Sequence, residues 1–186
     1  MEKAERNRRY EYGGELMPNH VKNIITLEGD TEKIQQMLEK IKNDDYGIGT
    51  VDFEKILPMP SHVPESQVID WRRFSWGTKW NAYDYQPDTD YGEEYSQSGV
   101  LEFLTAWSAP HPVMEKLAEM FPEIEFTHEW ADEDLGMNCS RRSYSGGERT
   151  EEYSPEYGIE SQNFACYLWY GDSGENEEEN ITQSAV

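Results

Sequence analysis

The sequence predicts one α+β domain, and two kinds of apolar pattern support this class. Several short segments place apolar residues at every second position, as strands with one buried face do. Two other segments repeat apolar residues every three to four positions, as amphipathic helices do. Along the chain these segments follow the order strand, helix, strand, strand, helix, strand. That order is the split βαβ arrangement of a ferredoxin-like βαββαβ core.

The first half of the predicted core covers residues 21–57. Residues 21–27 are rich in β-branched residues and predict the first strand. The next segment predicts a helix whose apolar face is formed by Ile34, Met37, Leu38 and Ile41. Residues 50–57 predict the second strand, with Val51, Phe53 and Ile56 directed inward.

The second half of the predicted core follows a long interruption. The third strand is predicted at residues 101–107, where one set of alternating positions holds Leu101, Phe103, Thr105 and Trp107 and the other holds Glu102, Leu104 and Ala106. A proline-initiated helix ends at Pro122, and residues 124–130 predict the fourth strand, in which His128 is expected to be a hydrogen-bonded core residue. Two further strands are predicted at residues 137–144 and 163–170, where they extend the sheet or form a hairpin.

Outside these elements, the sequence predicts segments of other kinds. Residues 1–16 are expected to be a flexible extension, residues 17–171 the domain itself, and residues 172–186 an acidic disordered tail. Prolines exclude regular strand pairing after residue 57, so residues 58–98 are interpreted as one insertion between strands two and three. That insertion is expected to contain a short helix near residues 64–73 and an acidic, tyrosine-rich loop at residues 83–97.

The formal net charge of −22 over 186 residues restricts the partners of the chain. Such a charge repels nucleic-acid phosphates and anionic membranes, so neither is expected to bind directly. It attracts a basic protein patch, a polyamine or a divalent cation, although solubility alone also explains an acidic surface.

The cysteines and histidines give no sign of a disulfide framework, a metal site or a cofactor. Cys139 and Cys166 are only two in number, and a reduced pair in a cytoplasmic protein is expected. The four histidines show no short metal-ligand spacing. No cofactor is predicted.

Three short segments resemble a known family. They are Met-Pro-Asn-His-Val at residues 17–21, Trp-Gly-Thr-Lys-Trp-Asn at residues 76–81 and Thr-Ala-Trp-Ser-Ala-Pro at residues 105–110. In this combination the chain resembles the YubB-type family found on phages and conjugative plasmids, over about residues 17–144. The resemblance implies a ferredoxin-like domain that originates from a mobile genetic element, and it implies no catalytic mechanism.

The aromatic segments supply the first set of candidate binding residues, which are Trp76, Lys79, Trp80, Asn81 and Trp107. In one interpretation Lys79 and Asn81 orient a polar or anionic small ligand between Trp76 and Trp80. In the other, the tryptophans are part of a lid that packs on the core, because their rings bury a large area wherever they find one.

A second set of candidates is acidic and consists of Glu125, Glu129, Asp132, Glu133 and Asp134. These residues lie in and after the fourth predicted strand and suggest a surface that binds a basic protein. If the carboxylates lie on one face at about the 7 Å spacing of phosphates along a nucleic-acid strand, the surface is expected to mimic nucleic acid. The target would then be a host defence protein or a DNA-handling protein.

Three functions remain open, and the sequence ranks them. A non-enzymatic acidic protein-binding module comes first, a small-ligand domain second, and an accessory subunit that associates through exposed strand edges third. An enzyme is not expected, because Ser108 and His111 have no evident third residue to orient them. The sequence does not determine the oligomeric state.

Overall fold

The computed structural model describes residues 11–12, 15–16 and 18–171. Its strands are β1 (Glu11–Tyr12), β2 (Glu15–Leu16), β3 (His20–Glu28), β4 (Val100–Ala106), β5 (Glu125–Asp132), β6 (Ser140–Ser145) and β7 (Glu148–Tyr153). Its α-helices are α1 (Thr31–Ile41), α2 (Phe53–Ile56), α3 (Val68–Ser75), α4 (Tyr91–Ser98), α5 (His111–Met120) and α6 (Ile159–Tyr170), and a 3₁₀ turn (Glu65–Gln67) precedes α3.

The main sheet has five antiparallel strands in the order β4-β3-β5-β6-β7. Strands β4 and β5 both run antiparallel to β3, so they are parallel to each other on its two sides. Helix α5 connects them along the chain. This is a split βαβ unit, and it agrees with the predicted α+β, ferredoxin-like class.

The principal core lies on the face of the sheet that carries Ile25, Leu101 and Phe126. Helices α1 and α5 contribute their apolar sides to this core, including Leu38 and Leu117. The side chain of Asp30 caps α1 by accepting hydrogen bonds from the first free backbone N–H groups of the helix. The helical face predicted from the sequence is therefore the face that is buried.

The predicted strand at residues 50–57 is wrong, because its second half is helix α2. The side chain of Asp52 accepts a hydrogen bond from Glu54 N at 3.0 Å and caps this helix. The side-chain carbonyl of Asn81, in a distant part of the chain, accepts a hydrogen bond from Phe53 N at 2.8 Å. These polar contacts satisfy the backbone groups that a strand would have presented to a neighbour. The inward positions of Val51, Phe53 and Ile56 are nevertheless confirmed.

The predicted strand at residues 163–170 is also wrong, because these residues belong to α6. Ala165 and Leu168 are buried against Ala131 of β5, on the sheet face opposite the principal core. Phe164 and Trp169 pack around the same cluster, so the apolar residues recur at helical spacing. High aromatic content favours strands in general, but here tertiary packing stabilises a helix.

Two further elements lie where loops were expected. Strand β7 forms in the polar connection after β6, with nearly all of its residues exposed. Helix α4 lies in the predicted acidic loop, and Asp90 caps it by accepting a hydrogen bond from Glu93 N at 3.0 Å. Both segments are too polar to produce an apolar periodicity, so pattern analysis did not reveal them.

The chain termini fall largely outside the described residues. The predicted tail at residues 172–186 is outside them, as are residues 1–10 of the predicted extension. Later in that extension, β1 and β2 form a short antiparallel ladder. Both cysteines are free thiols. Within the described ranges, the structure contains no helix with the length and apolar character needed to span a membrane.

Candidate functional site at one end of the sheet

Trp107 from the aromatic set and the Asp132, Glu133 and Asp134 part of the acidic set lie at one end of the sheet, where β3 begins and β4 and β5 end. Trp107, which follows β4, donates its backbone N–H to Asn19 O at 2.9 Å. On the other side of β3, Glu133 N donates to His20 O at 2.9 Å, and the Glu133 carboxylate accepts from His20 N at 3.0 Å. The start of β3 therefore joins Trp107 to the turn after β5 that contains Glu133 and Asp134, which we call the acidic turn.

Trp107 is held in an unusual backbone conformation. Its φ is +68°, a left-handed value that is rare for a bulky residue. The residue is 36% exposed, and two cations lie close to its ring, with the Arg73 guanidinium carbon at 5.0 Å and Lys79 Nζ at 5.1 Å from the ring centroid. The Asn138 side chain donates to Trp107 O at 3.3 Å. These contacts fix the indole at the surface.

Lys79 links Trp107 to a second group of aromatic rings. Only 4% of the lysine is exposed, and its Nζ lies 4.8 Å from the Trp80 centroid. Trp80 in turn meets Tyr83 edge-on with centroids 5.7 Å apart. The Tyr83 hydroxyl lies 2.6 Å from His20 Nδ1. Burial, and then the negative charge of Glu133, raise the pKa of Tyr83 well above its usual value, so it remains a neutral phenol.

The side chains of Trp76 and Asn81 form contacts within the fold. Trp76 is completely buried, and its indole N–H donates to Leu57 O at 2.8 Å. The Asn81 carbonyl accepts from Phe53 N at 2.8 Å and from Ala82 N at 2.9 Å. Its amide donates to the Asp52 carboxylate at 2.7 Å. These contacts favour the interpretation of this segment as a lid packed on the core.

Three of the five acidic candidates lie together, Asp132 at the end of β5 and Glu133 and Asp134 in the turn that follows. The Asp132 carboxylate accepts from Asn19 Nδ2 at 3.1 Å and from Asp134 N at 2.8 Å. Asn19 Nδ2 also donates to the Asp134 carboxylate at 2.9 Å. Burial raises the pKa of Asp132, the hydrogen bonds oppose this, and the charges of Asp134 and Glu133 raise it further. Asp132 is buried, whereas Glu133 and Asp134 are exposed.

The other two acidic candidates lie elsewhere on β5. Glu125 is at the far end of the strand and accepts a hydrogen bond from the Ser145 hydroxyl at 2.9 Å. Glu129 is half-buried opposite Arg141 of β6, and burial raises its pKa while Arg141 opposes the change. These two carboxyl groups are four residues apart, about 13 Å at the usual rise of a strand. The five acidic candidates therefore do not form one array at phosphate spacing.

The structure also brings together buried polar residues that sequence reasoning only partly identified. His128 is completely buried, and its Nε2 lies 3.0 Å from Asn23 Oδ1. Because the Asn23 amide already donates to Val21 O and Thr105 Oγ1, its oxygen faces His128, which must donate from Nε2. Burial, followed by the nearby charges of His111 and Arg142, lowers the pKa of His128 well below its usual value.

A surface cavity of about 490 Å³ lies between α4 and the outer edge of β4. Its lining includes the acids Asp84, Glu94 and Glu102 and the rings of Tyr91 and Tyr95. The sequence drew attention to the acidic, tyrosine-rich character of this region but not to the cavity, because α4 was not predicted. Within the described part of the chain, no cluster of three or more His, Cys, Asp or Glu residues is arranged to hold a metal ion.

Comparison with known proteins places the chain in a family. Residues 76–184 match the family described as the ferredoxin-like domain in Api92-like protein. The chain belongs to this family. The match confirms the ferredoxin-like part of the resemblance seen in the sequence, while the YubB-type assignment and the mobile-element origin stay predictions.

Similarity to other proteins is distant. The crystal structure of protein Api92 from Yersinia pseudotuberculosis is 17% identical in sequence, with a TM-score of 0.39. The similarity covers 57% of this chain and 40% of the Api92 chain, so this chain spans well under half of that protein. None of the curated proteins matches.

Proposed function

We propose that this chain is a non-enzymatic, acidic protein-binding module whose partner is a basic protein. The binding surface would consist of Arg73, Trp107, Glu133, Asp134 and Met137, which we call the Trp107 surface. The observation that carries the proposal is Trp107 itself, an exposed residue with a left-handed backbone and two cations close to its ring, at the same end of the sheet as the exposed Glu133 and Asp134.

The residue types on this surface support protein recognition. Tryptophan, arginine and methionine are enriched at the centres of protein interfaces, and loss of a central tryptophan typically costs 2 kcal/mol or more of binding free energy. Met137 is 52% exposed, and the adjacent Asn138 contacts the Trp107 backbone. Because Trp107 is already held by its neighbours, binding would require little further ordering of its side chain.

Charge supports a basic partner. Glu133 and Asp134 are exposed on the acidic turn, where they would form a polar rim beside the indole. The net charge of −22 would accelerate association with a positively charged protein at low ionic strength. The cations beside the indole contact its ring, so they position Trp107 and do not create a broad positive patch.

The resemblance to the YubB-type family points to a host protein that defends the cell or handles nucleic acid as the partner. A mimic of nucleic acid is one form of this proposal. It would depend on Glu133 and Asp134 in the turn after β5 and not on Glu125 and Glu129 within the strand, because Glu125 and Glu129 are about twice as far apart as adjacent phosphates. A small-ligand pocket around Trp76 and Asn81 has less support, since both side chains are engaged in structural hydrogen bonds.

The test is capture of proteins from a bacterial lysate by the full-length chain at low and high salt, followed by mass spectrometry and measurement of Kd with the purified partner. We expect a basic protein that is retained at low salt and released at high salt. The Trp107→Gly variant should raise Kd about 30-fold or more, as expected for a central tryptophan. Paired changes Glu133→Gln and Asp134→Asn should mainly slow association.

Matched controls are available at exposed residues that do not belong to the Trp107 surface. Tyr157→Ala removes an aromatic side chain that is 87% exposed. Glu148→Gln with Glu151→Gln removes two exposed charges from β7. Unchanged affinity in the Trp107 and acidic-turn variants, or an equal loss in both controls, would refute the proposed surface.

A further inference from the structure

We propose that the outer edge of β4 binds an extended, lysine- or arginine-bearing peptide segment of a partner protein by strand addition. The peptide would lie in the cavity between β4 and α4 and form backbone hydrogen bonds with β4. This site is separate from the Trp107 surface, and its occupancy does not depend on the function proposed for that surface.

The first argument is the open edge of the strand. β4 pairs with β3 on one side, and on the other side it has an isolated bridge in which Tyr83 and Leu104 exchange hydrogen bonds of 3.1 and 3.0 Å. The backbone groups of Leu104 therefore point away from β3. Because this direction alternates along an antiparallel strand, the N–H and C=O of Glu102 also point outward, into the cavity. The N–H of Val100, two residues further along the strand, already donates to the Ser98 hydroxyl at 3.2 Å.

The second argument is that the chain begins a sixth strand at this edge and then leaves it. Tyr83 is paired with Leu104, but the next residue, Asp84, has a φ of +79° and turns the backbone away. Helix α4 passes on the far side, which leaves the cavity of about 490 Å³. Leu104 is paired with Tyr83 and the Val100 N–H bonds Ser98, so the stretch of β4 open to a peptide is centred on Glu102, whose N–H and C=O can form two backbone hydrogen bonds with one peptide residue.

The third argument concerns the chemistry of the occupant. Three carboxylates, those of Asp84, Glu94 and Glu102, line the cavity, and among the described residues its lining contains no lysine, arginine or histidine. Glu102 also pairs with Lys22 at 2.7 Å, so Asp84 and Glu94 are the acids most available to an incoming cation. The faces of Tyr91 and Tyr95 would accommodate the alkyl chain or the charge of a lysine or arginine. Peptides bound by strand addition gain affinity from backbone hydrogen bonds and selectivity from alternate side chains.

The experiment uses the full-length chain and a fluorescent, end-blocked hexapeptide that alternates valine and lysine. We expect saturable binding, together with slower hydrogen exchange at the Glu102 amide when the peptide is present. A peptide of the same sequence with alternate backbone nitrogens methylated should bind roughly tenfold more weakly or worse, because it cannot complete the ladder. Spermidine, added at the same concentration of positive charge as the peptide, should compete poorly with the peptide because it has no backbone amide groups.

Protein variants test the acidic lining. Asp84→Asn with Glu94→Gln should raise Kd for the peptide about fivefold at low salt, and asparagine tolerates the left-handed backbone at position 84. The matched control Glu32→Gln with Glu65→Gln removes two exposed acids elsewhere and should leave Kd unchanged.

Four results would overturn the proposal. The first is no binding at about 1 mM peptide, where any site of useful affinity would be occupied, and the second is equal binding of the methylated peptide. The third is full competition by spermidine, which would assign the cavity to free amines. The fourth is a concentration-dependent dimer that the peptide dissociates, which would assign the edge to a second copy of this chain.

Discussion

Replacing Asn81 by alanine tests whether the Trp-Gly-Thr-Lys-Trp-Asn segment stabilises the fold or binds a ligand. The side chain of Asn81 forms three hydrogen bonds that join residues 52–53 to residues 81–82. Alanine leaves Phe53 N and Ala82 N without their acceptor and removes a donor from Asp52. At about 1 kcal/mol for each partly buried hydrogen bond, we expect the free energy of unfolding to fall by about 2–4 kcal/mol.

The assay is urea unfolding followed by tryptophan fluorescence, with Gln35→Ala as the control. Gln35 is an exposed amide on α1, and its removal should change the free energy of unfolding by less than about 0.5 kcal/mol. At urea concentrations where the Asn81→Ala variant is fully folded, its affinity for a basic partner should equal that of the unmodified chain. A loss of stability below about 0.5 kcal/mol, combined with a loss of affinity, would refute the structural role.

Three further predictions concern stability and use the same unfolding assay. Trp107→Gly should be about 1 kcal/mol more stable than Trp107→Ala, because glycine adopts the left-handed φ without strain; equal stabilities would contradict this. Leu168→Ala should cost about 2–4 kcal/mol, since the side chain is buried between α6 and the sheet, and a cost below 1 kcal/mol would argue against this packing. Burial lowers the pKa of His111 to about 4 and that of His128 well below its usual value, so the unfolded chain binds more protons than the folded chain below about pH 6.5. The free energy of unfolding should therefore fall as the pH decreases from about 6.5 towards 4, by at most about 1.4 kcal/mol per pH unit for each histidine. The His128→Gln variant should show a smaller slope, and an unchanged slope would contradict the assignment.

The sequence predicted the elements of the fold that have a regular apolar periodicity. The face of α1, the inward positions of Leu101, Phe103 and Thr105 in β4 and that of His128 follow from local patterns and are confirmed, whereas Trp107, predicted to end the strand, lies beyond it and is exposed. The errors lie where polar or tertiary contacts determine the backbone. α2 depends on Asn81, nearly thirty residues away in sequence, and α6 depends on the sheet face that it covers. Neither contact can be deduced from residues near the element itself.

The candidate site could be predicted only in part for the same reason. The sequence pointed to Trp107 and to the acidic turn, but their proximity results from the register of β3 with both of its neighbours. Arg73 was not identified because its role requires the position of its guanidinium over the Trp107 ring. The cavity beside β4 requires the position of α4, whose few apolar residues give no clear helical pattern.

The most direct test of the proposed function is site-specific photo-crosslinking from position 107. A chain with a benzophenone amino acid in place of Trp107 would be irradiated in a bacterial lysate at low salt, beside a second chain with the same group in place of the exposed Tyr157. The proposal predicts a covalent adduct with one basic protein from position 107, reduced by high salt and by Glu133→Gln with Asp134→Asn. If position 107 gives no specific adduct, or if position 157 captures the same protein with equal yield, Trp107 is not at the centre of a binding surface.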